Sequence, residues 1–132
     1  MKNLYIFSLL TISLLNFSIQ GYAAEYYWVG GAGDWSDFEN HWATTSGGET
    51  FHTQPPTALD DVIFDENSFA ITAQIVNVDT AAFCRSIDFT AVTNQPNFFV
   101  PFSSPLNVYG PMEFSADMTG SIRVLRLYGD LT

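Results

Sequence analysis

From Asp60 onward the chain alternates apolar and polar residues in short bursts closed by Asn, Asp, Pro, Ser or Gly, the pattern of half-buried strands between tight turns. Strands are predicted over residues 62–64, 74–78, 86–89, 98–100, 106–109, 112–114 and 122–128. One near-repeat lies among them: Leu106-Asn107-Val108-Tyr109-Gly110-Pro111-Met112 matches Leu125-Arg126-Leu127-Tyr128-Gly129-Asp130-Leu131 nineteen residues later. A spacing near twenty suits one coil of a β-solenoid, in which a few short strands joined by turns stack on the coil before. Leu106, Val108 and Met112 would then lie beneath Leu125, Leu127 and Leu131, with Asn107, Glu113 and Arg126 facing outward and Gly110 and Gly129 at a shared corner. The expected fold is all-β, a right-handed parallel β-helix. An antiparallel β-sandwich gives much of the same alternation and stands as the alternative. Because the second copy breaks off at Thr132, residues 60–132 are expected to be a truncated set of coils.

Residues 24–59 differ, being rich in Trp, Gly and Asp and lacking any helical period. A strand is predicted over residues 26–29, ended by Gly30-Gly31-Ala32-Gly33-Asp34, where glycine permits positive φ. Trp28, Trp35 and Trp42 would form a cap over the first coil, since an end coil has no neighbour to cover it. The functional alternative is a sugar platform in which Trp35 and Trp42 stack on pyranose rings while Asp34, Asp37 and Asn40 bind hydroxyls. Apolar burial is the commoner fate of aromatic rings and favours the cap.

Ahead of both regions, Lys2 and an apolar stretch over residues 4–19 lead into Gly21-Tyr22-Ala23-Ala24-Glu25. This is the order of a secretory signal peptide, residues 1–23, with the cut after Ala23. A cut after Ala24 would place bulky Tyr22 in a pocket that takes small residues. The run is shorter than the roughly 20 residues of a membrane span. No second such run follows, so the mature chain is expected to cross no membrane, to meet the export machinery and to be secreted or held at the cell surface. No cysteine adjoins the cut to carry a lipid.

The formal net charge of the whole chain is −10, and after the leader only Arg85, Arg123 and Arg126 oppose fourteen carboxylates. That balance excludes nucleic acid as a partner, since no cationic face can release counterions from phosphate. The aromatic and β-branched content argues for a folded chain. Cys84 is the single cysteine. It is expected to be a small buried apolar residue, and pairing with a cysteine beyond Thr132 is the rival reading.

No catalytic constellation is visible. Asp60-Asp61 and Asp65-Glu66-Asn67 carry oxygen ligands suited to calcium, but the default for such clusters is a solvated turn, and no metal site or cofactor is assigned. Gly30-Gly31-Ala32-Gly33-Asp34 contains a single copy of a calcium-binding nonapeptide pattern, and one copy builds no stacked site. His41 and His52 lack the spacing of a zinc site and are read as structural or surface residues. A Ser, His and Asp triad has no nucleophile elbow to support it.

The run Tyr26-Tyr27-Trp28-Val29-Gly30-Gly31-Ala32-Gly33-Asp34-Trp35-Ser36, continuing to Asn40-His41-Trp42-Ala43, resembles the opening of large secreted, β-helical, adhesin-like surface proteins of Gram-negative bacteria. These are commonly exported by the type IX route, and a similar opening occurs in autotransporter-like passengers. Asp60-Asp61-Val62-Ile63-Phe64-Asp65, Cys84-Arg85-Ser86-Ile87-Asp88-Phe89 and Val108-Tyr109-Gly110 are also similar to that group's pattern. The resemblance implies a non-catalytic structural or adhesive module whose partner is an extracellular glycan or a surface protein. The alternative is a carbohydrate-binding domain or the N-terminal part of a polysaccharide-degrading enzyme.

Overall fold

The computed structural model describes residues 23–129. The signal peptide assigned to residues 1–23 therefore lies outside the described residues except for Ala23. Leu131, the expected partner of Met112, lies outside them too.

The chain is mostly short strands with one helical turn, α1 (Phe38–His41). The strands are β1 (Glu25–Trp28), β2 (Gly33–Asp34), β3 (Trp42–Ala43), β4 (Asp61–Ile63), β5 (Ile75–Asn77) and β6 (Ala82–Cys84), then β7 (Ser86–Asp88), β8 (Asn97–Val100), β9 (Leu106–Val108), β10 (Met112–Glu113), β11 (Thr119–Ile122) and β12 (Leu125–Leu127). They form three sheets, ordered β10-β7-β4-β1-β3, β11-β8-β5-β2 and β12-β9-β6. From β4 onward each sheet takes every third strand. Among the described strands all pairings are parallel except β1 with β3.

Register follows the alternation. In the first sheet Tyr26, Val62, Ile87 and Met112 are aligned, and in the second Val76 aligns with Phe98. In the third sheet Leu106 pairs with Leu125 and Val108 with Leu127, the register that the near-repeat predicts. β-Branched and aromatic side chains at every second position point to one interior, which is why three-residue strands suffice. That interior is one continuous cluster from Tyr26 to Val108, with Met112, Met118 and Ile122 at its margin. The boundary drawn at residue 60 from composition is therefore not a packing boundary, because β1 and β2 belong to the same sheets as the strands that follow.

Several local readings change. The predicted strand over residues 122–128 is two strands, β11 and β12, with Arg123 and Val124 between them. β2, β3 and β6 are additional, being too short to show an alternation of their own. Asn107 does not face water: it is 3% exposed, and its amide donates to Ala82 O at 3.0 Å. An amide that folds back onto a neighbouring strand's carbonyl exchanges solvent for a protein partner, so a polar residue at this position is satisfied while buried. In the glycine run, Gly30 and Gly31 do have positive φ, of 82° and 73°. Gly33 does not need it, and is glycine because an added Cβ would sit 2.0 Å from His41 Nε2. Among the described residues no helix is long and apolar enough to cross a membrane.

Candidate binding surface

The two tryptophans proposed as a sugar platform cannot serve as one. Trp35 is 1% and Trp42 0% exposed. Their rings meet edge to face at 4.8 Å, and Trp42 also abuts Trp28 at 4.9 Å and Phe64 at 5.9 Å. The aromatic faces a pyranose would need are covered by other aromatics, because the β1–β3 pairing sets Trp28 opposite Trp42. Trp28 Nε1 donates to Gly31 O at 2.7 Å and Trp42 Nε1 to Trp35 O at 2.8 Å, so the segment behaves as packed interior. Trp35 Nε1 is the exception, buried with no partner.

The acidic clusters do not converge either. Successive residues of a strand point to opposite sides, so Asp60 turns inward to Thr57 while Asp61 turns to Arg85 and Ser86. Asp65 accepts from Asn67 N at 2.9 Å and Ser46 Oγ at 2.6 Å. Asp60 and Asp65 are 7% and 6% exposed, so they cap turns from within instead of lying in solvated ones. Among the described residues no three His, Cys, Asp or Glu side chains gather as a cation site. His41 stacks on Trp28 at 4.5 Å with Nδ1 2.7 Å from Val29 O, and His52 stacks on Tyr26 at 3.5 Å with Nε2 2.9 Å from Glu25 O. Neither is placed beside a serine nucleophile. Cys84 is fully buried, and burial, with the nearby Asp61 charge, pushes its thiol up to about 12. A thiol so protonated is no nucleophile at neutral pH.

What the fold does bring together is the corner where the third sheet hands the chain to the first. Arg85, Tyr109 and Tyr128 each follow a residue of one aligned column, Cys84 and Val108, both buried, and Leu127, which is 37% exposed in the last strand described. Tyr109 N donates to Cys84 O at 3.1 Å and Tyr128 N to Val108 O at 2.9 Å, which carries the column around the bend. The chain passes so closely here that a Cβ on Gly110 would lie 2.7 Å from Arg85 O. That close approach, not a positive φ, is why the glycine recurs after each tyrosine.

Outside this corner Tyr109 and Tyr128 stack with centroids 4.5 Å apart and planes 10° from parallel, and they are 39% and 57% exposed. Arg85 grips Asp61 with both Nε and Nη2, and Ser86 Oγ donates to the same carboxylate. Asp61, Arg85, Ser86 and Tyr109, with Gly110 and Pro111, line an open depression of about 470 Å³, and Tyr128 is not part of that lining. Arg85 beside Asp61, aided by Ser86, holds that carboxyl below the ordinary range. Asp61 therefore stays ionised and is unsuited to the general-acid role, which requires a raised pKa. The surface offers a half-exposed guanidinium, a fixed carboxylate and an aromatic stack. Such groups orient hydroxyls and carboxylates and cover an apolar ring face.

A depressed folded-state pKa contributes stability that is present above the unfolded value of about 4 and lost as pH falls through the folded one. Arg85→Gln is therefore expected to shrink the loss of stability on acidification below about pH 4 by slightly lowering the melting temperature at pH 7, with the two proteins converging toward about pH 2. Thermal melts of both proteins between pH 2 and 7, on the order of one per unit, check this. Parallel acid limbs would show that the pair does not tune Asp61.

The sequence reading placed no function on this corner. The signal was present, since Tyr109-Gly110 and Tyr128-Gly129 occupy the same place in the near-repeat, and a residue after an inward position faces outward. Comparison of the chain with protein-family models, curated proteins and solved structures finds no match.

Proposed function

We propose that the chain folds as a right-handed parallel β-helix and acts as a non-catalytic structural or adhesive module of a secreted or cell-surface protein. Three observations support the fold reading. From β4 onward each of three sheets takes every third strand in parallel, aligned positions repeat their apolar character, and parallel crossovers are right-handed in nearly all proteins. Export is supported by the charged start, apolar run and small residues around Ala23. The opening similar to adhesin-like proteins points the same way.

The adhesive reading rests on one observation: an exposed guanidinium adjoins a stacked pair of exposed tyrosines at the Arg85–Tyr109–Tyr128 corner, while Cys84 and the tryptophans are sealed inside. The tyrosine stack also favours a second reading, a carbohydrate-binding domain, because an exposed phenol ring packs well on a sugar face. Both readings predict binding without turnover.

The exported protein, applied to immobilised glycans and to purified extracellular and outer-surface proteins, is expected to bind one class saturably. Tyr128→Ala and Arg85→Ala should each weaken that binding about tenfold or more, the loss of a well-placed contact, with the far-UV spectrum unchanged. Glycan-only binding selects the carbohydrate reading, and protein binding selects the adhesive one. Release of new reducing ends from a polysaccharide, or binding indifferent to both substitutions, would sink the proposal.

A further inference from the structure

Asp60 is a buried carboxylate, 7% exposed, with no cation paired to it among the described residues. Its Oδ2 accepts from Thr57 N and Thr57 Oγ1, both at 2.8 Å. Its Oδ1 faces Ala24 N at 3.3 Å, longer than a good N–H···O bond. Ala24 is itself held in place: its carbonyl accepts from Asp61 N at 2.8 Å, and β1 begins at the next residue. A carboxylate held among neutral donors in a dry position is poorly compensated unless a positive charge reaches it.

The geometry points to that charge being the chain's own α-amine: cleavage after Ala23 turns Ala24 N from a peptide N–H into an ammonium that forms a buried ion pair with Asp60. The inference rests on the signal-peptide reading and goes beyond it by giving the cut a structural consequence. An ammonium in place of the amide has three donors and a full charge, and charge-assisted bonds of this kind draw in to about 2.7–2.9 Å. Processing then locks β1 to the β4 edge, so the mature protein is more stable than the uncut chain. The position of the cut matters as well. A cut after Ala24 would remove both Ala24 N and the carbonyl that binds Asp61 N, and would leave the new amine on exposed Glu25.

The other titratable and charged groups facing this corner are Tyr26, Glu25, Asp61 with its partner Arg85, and His52 stacked on Tyr26. The Tyr26 phenol is raised, first by burial and then by the Asp60 charge, so it stays neutral until well above the pH at which the amine titrates. An ammonium paired with a carboxylate has its pKa raised above the unpaired value of about 8. Its contribution to stability is thus complete below pH 8 or so and lost as pH rises through the folded pKa.

Composition makes the test selective. Lys2 is the only lysine among residues 1–132, so a chain of residues 24–132 carries the α-amine as its only primary amine. The protein is exported from a Gram-negative host, its first residue is read by mass spectrometry, and half is acetylated with N-hydroxysuccinimidyl acetate. Acylation at pH 7 is expected to run about tenfold slower in the folded protein than in urea, the effect of a pKa raised by about one unit. At pH 6 the acetylated form should melt below the free form, and the gap should close above about pH 10. Asp60→Asn should abolish both differences, and if that variant does not fold, the comparison of free with acetylated wild-type protein stands without it. A first residue other than Ala24 overturns the cleavage reading. A first residue of Ala24 with equal acylation rates and equal melting temperatures overturns the ion pair.

Discussion

Trp42→Ala is expected to leave much of the protein unfolded at room temperature. Trp42 is fully buried, contacts Tyr26, Trp28, Trp35 and Phe64 through its ring, and donates its indole N–H to Trp35 O at 2.8 Å. Its own carbonyl accepts from His52 N at 2.9 Å, which holds the segment after β3 in place. Removing a buried Trp side chain costs about 3–5 kcal/mol, and the Trp35 carbonyl left without the indole N–H adds about 1–3 kcal/mol. A domain of this size holds only about 5–15 kcal/mol in total. The melting temperature should therefore fall by roughly 20 °C or more. Trp35→Phe provides the contrast. The Trp35 indole N–H has no partner, so its removal relieves an unsatisfied donor and offsets part of the lost volume. Near-UV circular dichroism during a thermal melt separates the two variants. A Trp42→Ala protein with the parent's melting temperature would mean that the ring is not interior packing.

Beside the α-amine pair, which titrates from about pH 8, the high-pH limb of stability should belong chiefly to Cys84. An unfolded thiol ionises near pH 8.5, whereas burial raises the native thiol to about 12. Between those values the unfolded chain gives up a proton that the folded chain keeps, so stability falls with pH at about 1.4 kcal/mol per unit. Tyr27 adds a drop of the same sign from about pH 10, because its hydrogen bond to Glu25, then burial, raises the phenol to about 12. Cys84→Ala should flatten the limb between roughly pH 8.5 and 10, before the phenols contribute, whatever its packing effect at neutral pH. Urea midpoints across that window read the slope. A slope unchanged by the substitution would mean that the native thiol ionises as freely as the unfolded one. A thiol reagent supplies an independent reading, since it should modify Cys84 only when the protein unfolds.

The inward set of residues was readable along the chain. Val62, Ile87, Phe98, Val108 and their neighbours occupy alternate positions in short apolar bursts, and all are buried. One register was readable as well, because Leu106-Asn107-Val108-Tyr109-Gly110 and Leu125-Arg126-Leu127-Tyr128-Gly129 share Leu, Tyr and Gly as well as pattern. A longer-range recurrence went unread: Phe64, Phe89 and Phe114 each end a burst and stack successively at 4.7 and 6.1 Å. The residues before them, Val62, Ile87 and Met112, differ in identity, and apolar type alone does not distinguish one short burst from another. The corner at Arg85, Tyr109 and Tyr128 was missed for a related reason. An exposed group shows itself only when the fold reveals which outward positions lie side by side.

The amino-acid order alone determined most of the inward apolar set, where most turns fall and the acidic balance of the chain, because the first two are local properties with a period of two residues or a fixed backbone preference and the third is composition. Only the tertiary structure decided which strands are neighbours, that Asp60 and Asn107 are buried, that the tryptophans are sealed, and that Ala24 meets Asp60. Those facts depend on contacts between residues far apart in the chain, and loops of unequal length between the strands leave no local mark of where such contacts form.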